Sequence, residues 1–253
     1  MQSNGVVAVV TGGGSGLGEA SARRLAADGA TVAVMDVDPS AAQRVADGIG
    51  GVAFAVDVSD EAGVVTAFAG AAEVLGPPRV LVHCAGIGGF SRLLRRNGPH
   101  PTALWDRILG VNLQGTFLCC RAAADLMARL DPLDTGERGV MITTSSISGL
   151  DGPTGAVAYA ASKAAVAAMT IPMARDLSDH AIRVVSIAPG SFDTALLAGM
   201  PSEAVAAMAA AKPFPKRSGH PSEFADTVAW IVGNSMVNGS VIRLDGGERM
   251  GWP

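Results

Sequence analysis

Tyr159 and Lys163 stand four residues apart in AVAYAASKAAVAAMT, a run of small apolar residues. The chain holds one tyrosine and three lysines in 253 residues. Composition alone puts a lysine at that offset about 1 % of the time. Residues four apart share a helix face. In one reading a surface lysine lays its stem along an aromatic ring. In the other the ammonium makes the phenol acidic enough to act as a base. A free phenol has a pKa of about 10, and each unit costs about 1.36 kcal/mol. A cation about 4 Å away contributes roughly 4 kcal/mol at an effective dielectric near 20, so one ammonium and a second positive charge bring the phenol within reach of neutral pH. Ser146, thirteen residues before Tyr159, can hold a hydroxyl or carbonyl oxygen by hydrogen bonding. Asn112 can position a water behind Lys163. Read together, the four side chains describe proton transfer to or from an alcohol.

Such side chains must be held by a frame. Short apolar runs supply strands at Val6–Val10, Thr31–Met35, Val52–Val56, Val80–His83, Val140–Thr144, Arg183–Ile187 and Val241–Leu244. Most are continuously apolar, as parallel strands buried on both faces must be. Helical patterns fall between them near Leu17–Asp28, Pro39–Gly48, Glu61–Leu75, Val111–Leu130, Val157–Leu177 and Ser222–Val232. Pro172 lies inside one of these, where it kinks or ends a helix. The alternation predicts a single α/β domain over residues 1–253: a doubly wound, Rossmann-type parallel sheet with helices on both faces. Ile87–Thr102 and the irregular stretch near residues 190–215 are expected to border the substrate.

Ligands of such sheets bind outside the carboxyl ends of the strands. The unusual residues gather there. Gly12, Ser15, Gly16, Leu17 and Gly18 lie in TGGGSGLG after the first strand, and Asp36 ends the second. Asp57 and Val58 follow the third, Cys84-Ala85-Gly86 the fourth, Ser145 and Ser146 the fifth, and Pro189-Gly190 the sixth. Glycines let backbone approach a pyrophosphate and aim a helix N-terminus at it. A tight turn also needs glycine on its own account. Asp36 is either a turn residue before Asp38-Pro39 or an acceptor for both ribose hydroxyls of NAD, where it would repel the extra phosphate of NADP. Ser15 offers no charge to offset that repulsion. Asp57 can cap a turn or hold the adenine amino group. The oxidised nicotinamide ring would be the second positive charge beside Tyr159.

Composition narrows the field. Hydrophobic residues make up 49 %, charged residues 17 %, and the net charge is -4; this balance argues against a nucleic-acid surface. No apolar run in the sequence approaches the roughly 20 residues of a membrane span. The start, MQSNGVVAVV, lacks a basic leader pattern. Cys84, Cys119 and Cys120 have no metal or disulfide spacing, which suits a reducing cytoplasm. His83, His100, His180 and His220 have no metal spacing, and no G-x-S-x-G elbow is present, so no metal is expected. Met200, Met208 and Phe214 are candidates for an apolar pocket or plain packing. Trp105, Trp230 and Trp252 read as core or interface. Arg92, Arg95 and Arg96 in GFSRLLRRNGPHP are either a solvated loop or a seat for phosphates.

TGGGSGLG, Asp36, Cys84-Ala85-Gly86, Asn112, Ser146, Tyr159-x-x-x-Lys163 and Pro189-Gly190 together resemble the short-chain dehydrogenase/reductase family. The likeness covers the whole chain. It implies an Asn–Ser–Tyr–Lys tetrad, a small-molecule substrate and usually a homotetramer. By the same likeness Ser15, Leu17, Asp36, Asp57, Val58, Cys84, Tyr159, Lys163, Phe192 and Thr194 contact NAD. One departure is Cys84, where the family often has asparagine. "GVNLQGTF", "SIAPGSFDTALL", "PFPKRSGHPSEFA" and "NGSVIRLDGGERM" look like members that oxidise 3-hydroxyacyl-CoA thioesters in fatty acid metabolism, some with activity on steroid alcohols. A carrier-protein or ketone reductase is the alternative enzyme, and Asp36 argues against its usual NADPH. A dinucleotide-binding scaffold without chemistry is the alternative outside catalysis; such a protein has no use for Ser146 and Asn112 together.

Overall fold

The structure is a computed structural model that describes residues 1–198 and 202–250. The chain opens with β1 (Val7–Thr11), α1 (Gly16–Ala27), β2 (Thr31–Asp36), α2 (Pro39–Ile49), β3 (Val52–Ala55), α3 (Glu61–Leu75) and β4 (Val80–His83). A small antiparallel hairpin follows, β5 (Leu94–Arg95) with β6 (Gly98–Pro99). Then come α4 (Thr102–Leu109), a π turn at Gly110–Gln114, α5 (Gly115–Met127), β7 (Gly139–Thr144), a 3-10 turn at Ile147–Gly149, and α6 (Val157–Asp176). After the 3-10 turn Ser178–His180 the chain ends with β8 (Ile182–Pro189), α7 (Ala195–Ala198), α8 (Ser202–Ala211), α9 (Pro221–Gly233) and β9 (Val241–Leu244).

Seven strands form one parallel sheet in the order β3-β2-β1-β4-β7-β8-β9. The order reverses between β1 and β4, so a crevice opens between their carboxyl ends. Successive side chains on a strand face opposite ways. Ala8 and Val10 therefore join a core with Leu25, Val45 and Phe224, while Val9 joins the opposite core with Met35, Phe68 and Leu118. All residues of β4, β7 and β8 are buried, which explains why they are mostly apolar. α2 shows the local rules plainly. Asp38 accepts hydrogen bonds from the Ser40 and Ala41 amides, Pro39 opens the first turn, and Gly50 ends it at φ 66°.

Two expectations are revised, and the one at Pro172 is narrowed. The helix expected over Val111–Leu130 starts at Thr102, and its first two turns reach Asn112 through a π turn. Its opening segment buries only Ile108, so no apolar stripe announces it. The stretch after Pro189 contains α7 and α8 rather than irregular chain alone. Pro172 does not end α6, which continues to Asp176. Pro172 and Ala168 lie on the exposed side, where the carbonyl that proline leaves unbonded can face water. α6 is also long and apolar enough, by length and composition, to cross a membrane; here it packs on β8, α4 and the Ile147–Gly149 turn. Trp230 is 51 % exposed, so it is not core, and Trp252 lies outside the described residues.

Candidate active site

A cavity of about 810 Å³ lies at the carboxyl end of the sheet. Every cofactor residue expected from the sequence, from Gly12 to Thr194, lines it, as do Ser146, Tyr159 and Lys163. Asn112 does not; its neighbours Gly110 and Val111 do.

At one end the wall is mostly backbone. Gly12 and Gly16 have φ of 62° and 53°, the left-handed region that glycine enters without strain. A Cβ on Gly18 would lie 2.0 Å from the Gly12 carbonyl oxygen, so only glycine lets α1 start this close to β1. Ser15 opens α1 without a side-chain cap, leaving the first-turn amides available to an anion. The Gly14 amide donates to Asp36 Oδ2 at 2.9 Å, and the Asp38 amide donates to Oδ1 at 3.1 Å. One bond to each oxygen leaves lone pairs for further donors. Arg44 reaches the same loop: its Nη2 donates to the Gly14 carbonyl and to Glu19 Oε2, both at 2.7 Å. Hydrogen bonding from Arg44 takes Glu19 down to about 2. Arg44 was not foreseen, because nothing near it in the chain signals a partner at residue 14. Asp57 accepts from the Ser59 hydroxyl at 2.7 Å and the Ser59 amide at 2.9 Å, which hold its carboxyl below the ordinary range. Its turn-capping role is present, and it also faces the cavity.

At the other end α6 brings Tyr159 and Lys163 to the end of β7. Lys163 Nζ donates to the Thr144 carbonyl at 2.8 Å and lies 6.0 Å from the centre of the Tyr159 ring. Burial pushes Lys163 down to about 8. Burial also raises Tyr159 above its ordinary value, while the neighbouring Ser146 hydroxyl pulls the other way. The expected lowering of the phenol by Lys163 is therefore not found in the protein by itself. Taking the phenolate out of water outweighs the Ser146 hydrogen bond, and the Lys163 ammonium is itself desolvated. Phe90 stacks at a tilt 6.3 Å from Tyr159. Cys84 faces the same space; burial takes its thiol up to about 11, so it stays protonated. Burial takes His83 down to about 3, leaving it neutral with Nδ1 2.8 Å from Thr11 Oγ1.

Asn112 sits in the π turn with both polar atoms of its carboxamide hydrogen-bonded. Oδ1 accepts from the Ile87 amide at 2.8 Å, and Nδ2 donates to the Ile87 carbonyl at 3.0 Å and Ser162 Oγ at 3.1 Å. The side chain fastens the loop after β4 to α6, while Oδ1 accepts one bond and keeps a second lone pair. A Cβ on Gly86 would come within 3.2 Å of Asn112 Oδ1 and 3.3 Å of Lys163 Nζ. Of the apolar candidates, Met208 lines the cavity, Phe214 is 82 % exposed, and Met200 lies outside the described residues. Met250 also lines the cavity, with its sulfur 3.9 Å from Ser148 Oγ. Arg92, Arg95 and Arg96 are exposed on or beside the hairpin, and Arg95 bends back to the Pro99 carbonyl at 3.0 Å.

A family profile described as short chain dehydrogenase matches residues 6–204. The chain belongs to that family, and it is an oxidoreductase that acts on a small molecule with a nicotinamide dinucleotide. It is 43 % identical over 250 residues to human 3-hydroxyacyl-CoA dehydrogenase type-2, covering 97 % of this chain and 96 % of that one. The Drosophila melanogaster protein of the same name is 42 % identical, over 96 % and 97 %. A crystal structure of 3-hydroxyacyl-CoA dehydrogenase type-2 from Mycobacterium avium superposes with a TM-score of 0.93 at 40 % identity, covering 98 % of this chain and 97 % of that chain. The cradle fits a dinucleotide: a Cβ-free wall at Gly12 and Gly18, uncapped amides at α1, and the Asp36 carboxylate lining the same cavity.

Proposed function

We propose that this protein oxidises the 3-hydroxyl of a 3-hydroxyacyl-CoA thioester to the ketone, with NAD as the dinucleotide. The carrying observation is one cavity with an alcohol-handling cluster at one end and the Asp36 carboxylate beside the glycine turn at the other. Ser146 orients the substrate oxygen by hydrogen bonding. Tyr159 accepts the hydroxyl proton, and Lys163 supplies the positive charge that makes this acceptance feasible. A bound nicotinamide ring supplies the hydride acceptor. With an oxidised ring bound, Lys163 would be one of two positive charges offsetting the burial cost at Tyr159. Asn112 acts by holding the loop after β4 against α6. Asp36 favours NAD, because a phosphate on the ribose would meet its carboxylate, and the nearby Arg44 is already neutralised by Glu19. The substrate class is supported by the likeness to the type-2 enzymes over nearly the whole chain. We further place the working protein in the cytoplasm, in keeping with three free cysteines, and as a homotetramer, in keeping with exposed Trp230 and Ile171.

The test is an initial-rate panel: the 3S and 3R forms of 3-hydroxybutyryl-CoA, a hydroxysteroid and a plain secondary alcohol, each with NAD and NADP. The proposal expects the highest kcat/KM with one 3-hydroxyacyl-CoA enantiomer and NAD. A preference for NADP, or for the plain alcohol over both thioesters, would refute it.

A further inference from the structure

Two charged side chains that the proposed chemistry does not use are buried beside the cavity. Lys212, just past α8, and Glu248, near the C-terminus, have side chains 3 % and 5 % exposed, with Nζ 3.2 Å from Oε2. Both grip one residue. The Ser191 amide and hydroxyl donate to Glu248 Oε2 at 3.0 and 2.9 Å, and Lys212 Nζ donates to the Ser191 carbonyl at 2.9 Å. A Cβ on the preceding Gly190 would lie 2.7 Å from the same oxygen. Ser191 is on the cavity wall and begins the segment that leads to α7 and α8, whose Leu197 and Met208 also line the cavity.

Glu248 is anchored from behind. Arg243 Nη2 donates to the Glu248 carbonyl at 3.1 Å and to Asp151 Oδ2 at 2.9 Å, and its Nε donates to Asp245 Oδ2 at 2.8 Å. Asp151 belongs to the loop behind Ser146. One short segment, residues 245–250, thus ties together the loop after Ser146, the start of the substrate segment and the end of α8, and places Met250 in the wall.

Stability alone does not account for such a pair. Replacing a buried ion pair by packed apolar side chains is often neutral or stabilising. What an ion pair gives that apolar packing does not is direction: two bonds fix the peptide groups on either side of Ser191 and a third holds its hydroxyl. We infer that Lys212 and Glu248 are positioning residues whose clamp on Ser191 sets the shape of the substrate end of the cavity. The inference rests on the proposed reaction for its kinetic readout only.

Three proteins test it: the unaltered chain, Glu248→Leu with Lys212→Met, and Glu248→Gln with Lys212→Met. Removing both charges together avoids stranding either one. The leucine variant should keep the melting temperature and raise KM for the substrate about tenfold, with kcat changed less than about threefold, since misplaced binding groups are costly. It should also speed amide exchange in peptides covering residues 191–198 and 202–211. The glutamine variant retains an acceptor for Ser191 and should return KM and exchange most of the way. Wild-type KM and exchange in a folded leucine variant would overturn the clamp. So would equal defects in both variants, which would mark a packing role. Exchange needs no substrate. If the unaltered protein turns over no 3-hydroxyacyl-CoA, the proposed function fails, and exchange still decides the clamp.

Discussion

The two ends of the cavity are built from different material. The dinucleotide end is backbone: glycines at positive φ, the uncapped amides of α1, and the turn at Asp36. Its residues follow β1, β2 and β3, which are neighbours in the sheet. The substrate end is side chains from remote places, with Phe90 after β4, Ser146 after β7, Met208 in α8, and Met250 near the C-terminus. Backbone geometry is hard to vary and easy to recognise. A wall of side chains can change shape one residue at a time, so specificity is carried there.

The largest blow to this division should come from Tyr159→Phe. Losing one oxygen should reduce kcat by roughly 10²–10⁴-fold while dinucleotide affinity stays. Because Tyr159 is the sole tyrosine, the phenolate absorbance band reports it alone. In the dinucleotide-free protein it should titrate above 10, and it should move down on adding oxidised dinucleotide. Retained turnover in the variant would remove Tyr159 from the chemistry.

Lys163→Met should trade activity for stability. Lys163 titrates near 8 in the folded protein and at its ordinary 10.5 when unfolded. Between those values the unfolded chain holds the extra proton, so stability rises with pH there; below about 8 the folded state bears the whole penalty. The window corresponds to about 3 kcal/mol. Denaturant unfolding near pH 7 should therefore show the methionine variant more stable than the parent, with the gap closing as pH approaches 10.5. An equal gap at both pH values would show that burial of the ammonium is not the cause.

Asp36→Ala tests the backbone end. NAD affinity should fall and the preference over NADP should shrink by about tenfold or more, since the repelling carboxylate is gone. An unchanged cofactor ratio would mean that another group chooses the dinucleotide. The smallest effect belongs to Arg92→Ser, Arg95→Ser and Arg96→Ser together. If the hairpin seats coenzyme A phosphates, KM for the thioester should rise a few-fold at low salt and little at high salt, with kcat unchanged. Arg95, already bent back to Pro99, should contribute least of the three.

The same division explains what could be read from sequence. The seven sheet strands are legible because each is a short, mostly apolar run, and the inner strands β4, β7 and β8 are buried throughout. The glycines, Asp36 and the Tyr159–Lys163 spacing are legible because the signal is local. Arg44, Met250 and the Lys212–Glu248 pair are not, since their partners are distant in the chain. The direction of the Tyr159 shift was also out of reach, because spacing gives the nearness of a charge and not the loss of water around both groups. Asn112 could be found by position, but its hydrogen bonds depend on Ile87 and Ser162, which only the folded chain brings together.

The π turn at Gly110–Gln114 has a further consequence. It holds one residue more than a regular helix would need over the same rise. Deleting a residue there would leave an uninterrupted helix from Thr102 to Met127, more regular than the original. It would also swing Asn112 by about 100° around the axis. The Ile87 loop and α6 would lose their shared fastening, although every side chain named in the site remained in the sequence. Length in this segment is therefore a counted quantity: a protein one residue shorter could be better folded locally and have no working site.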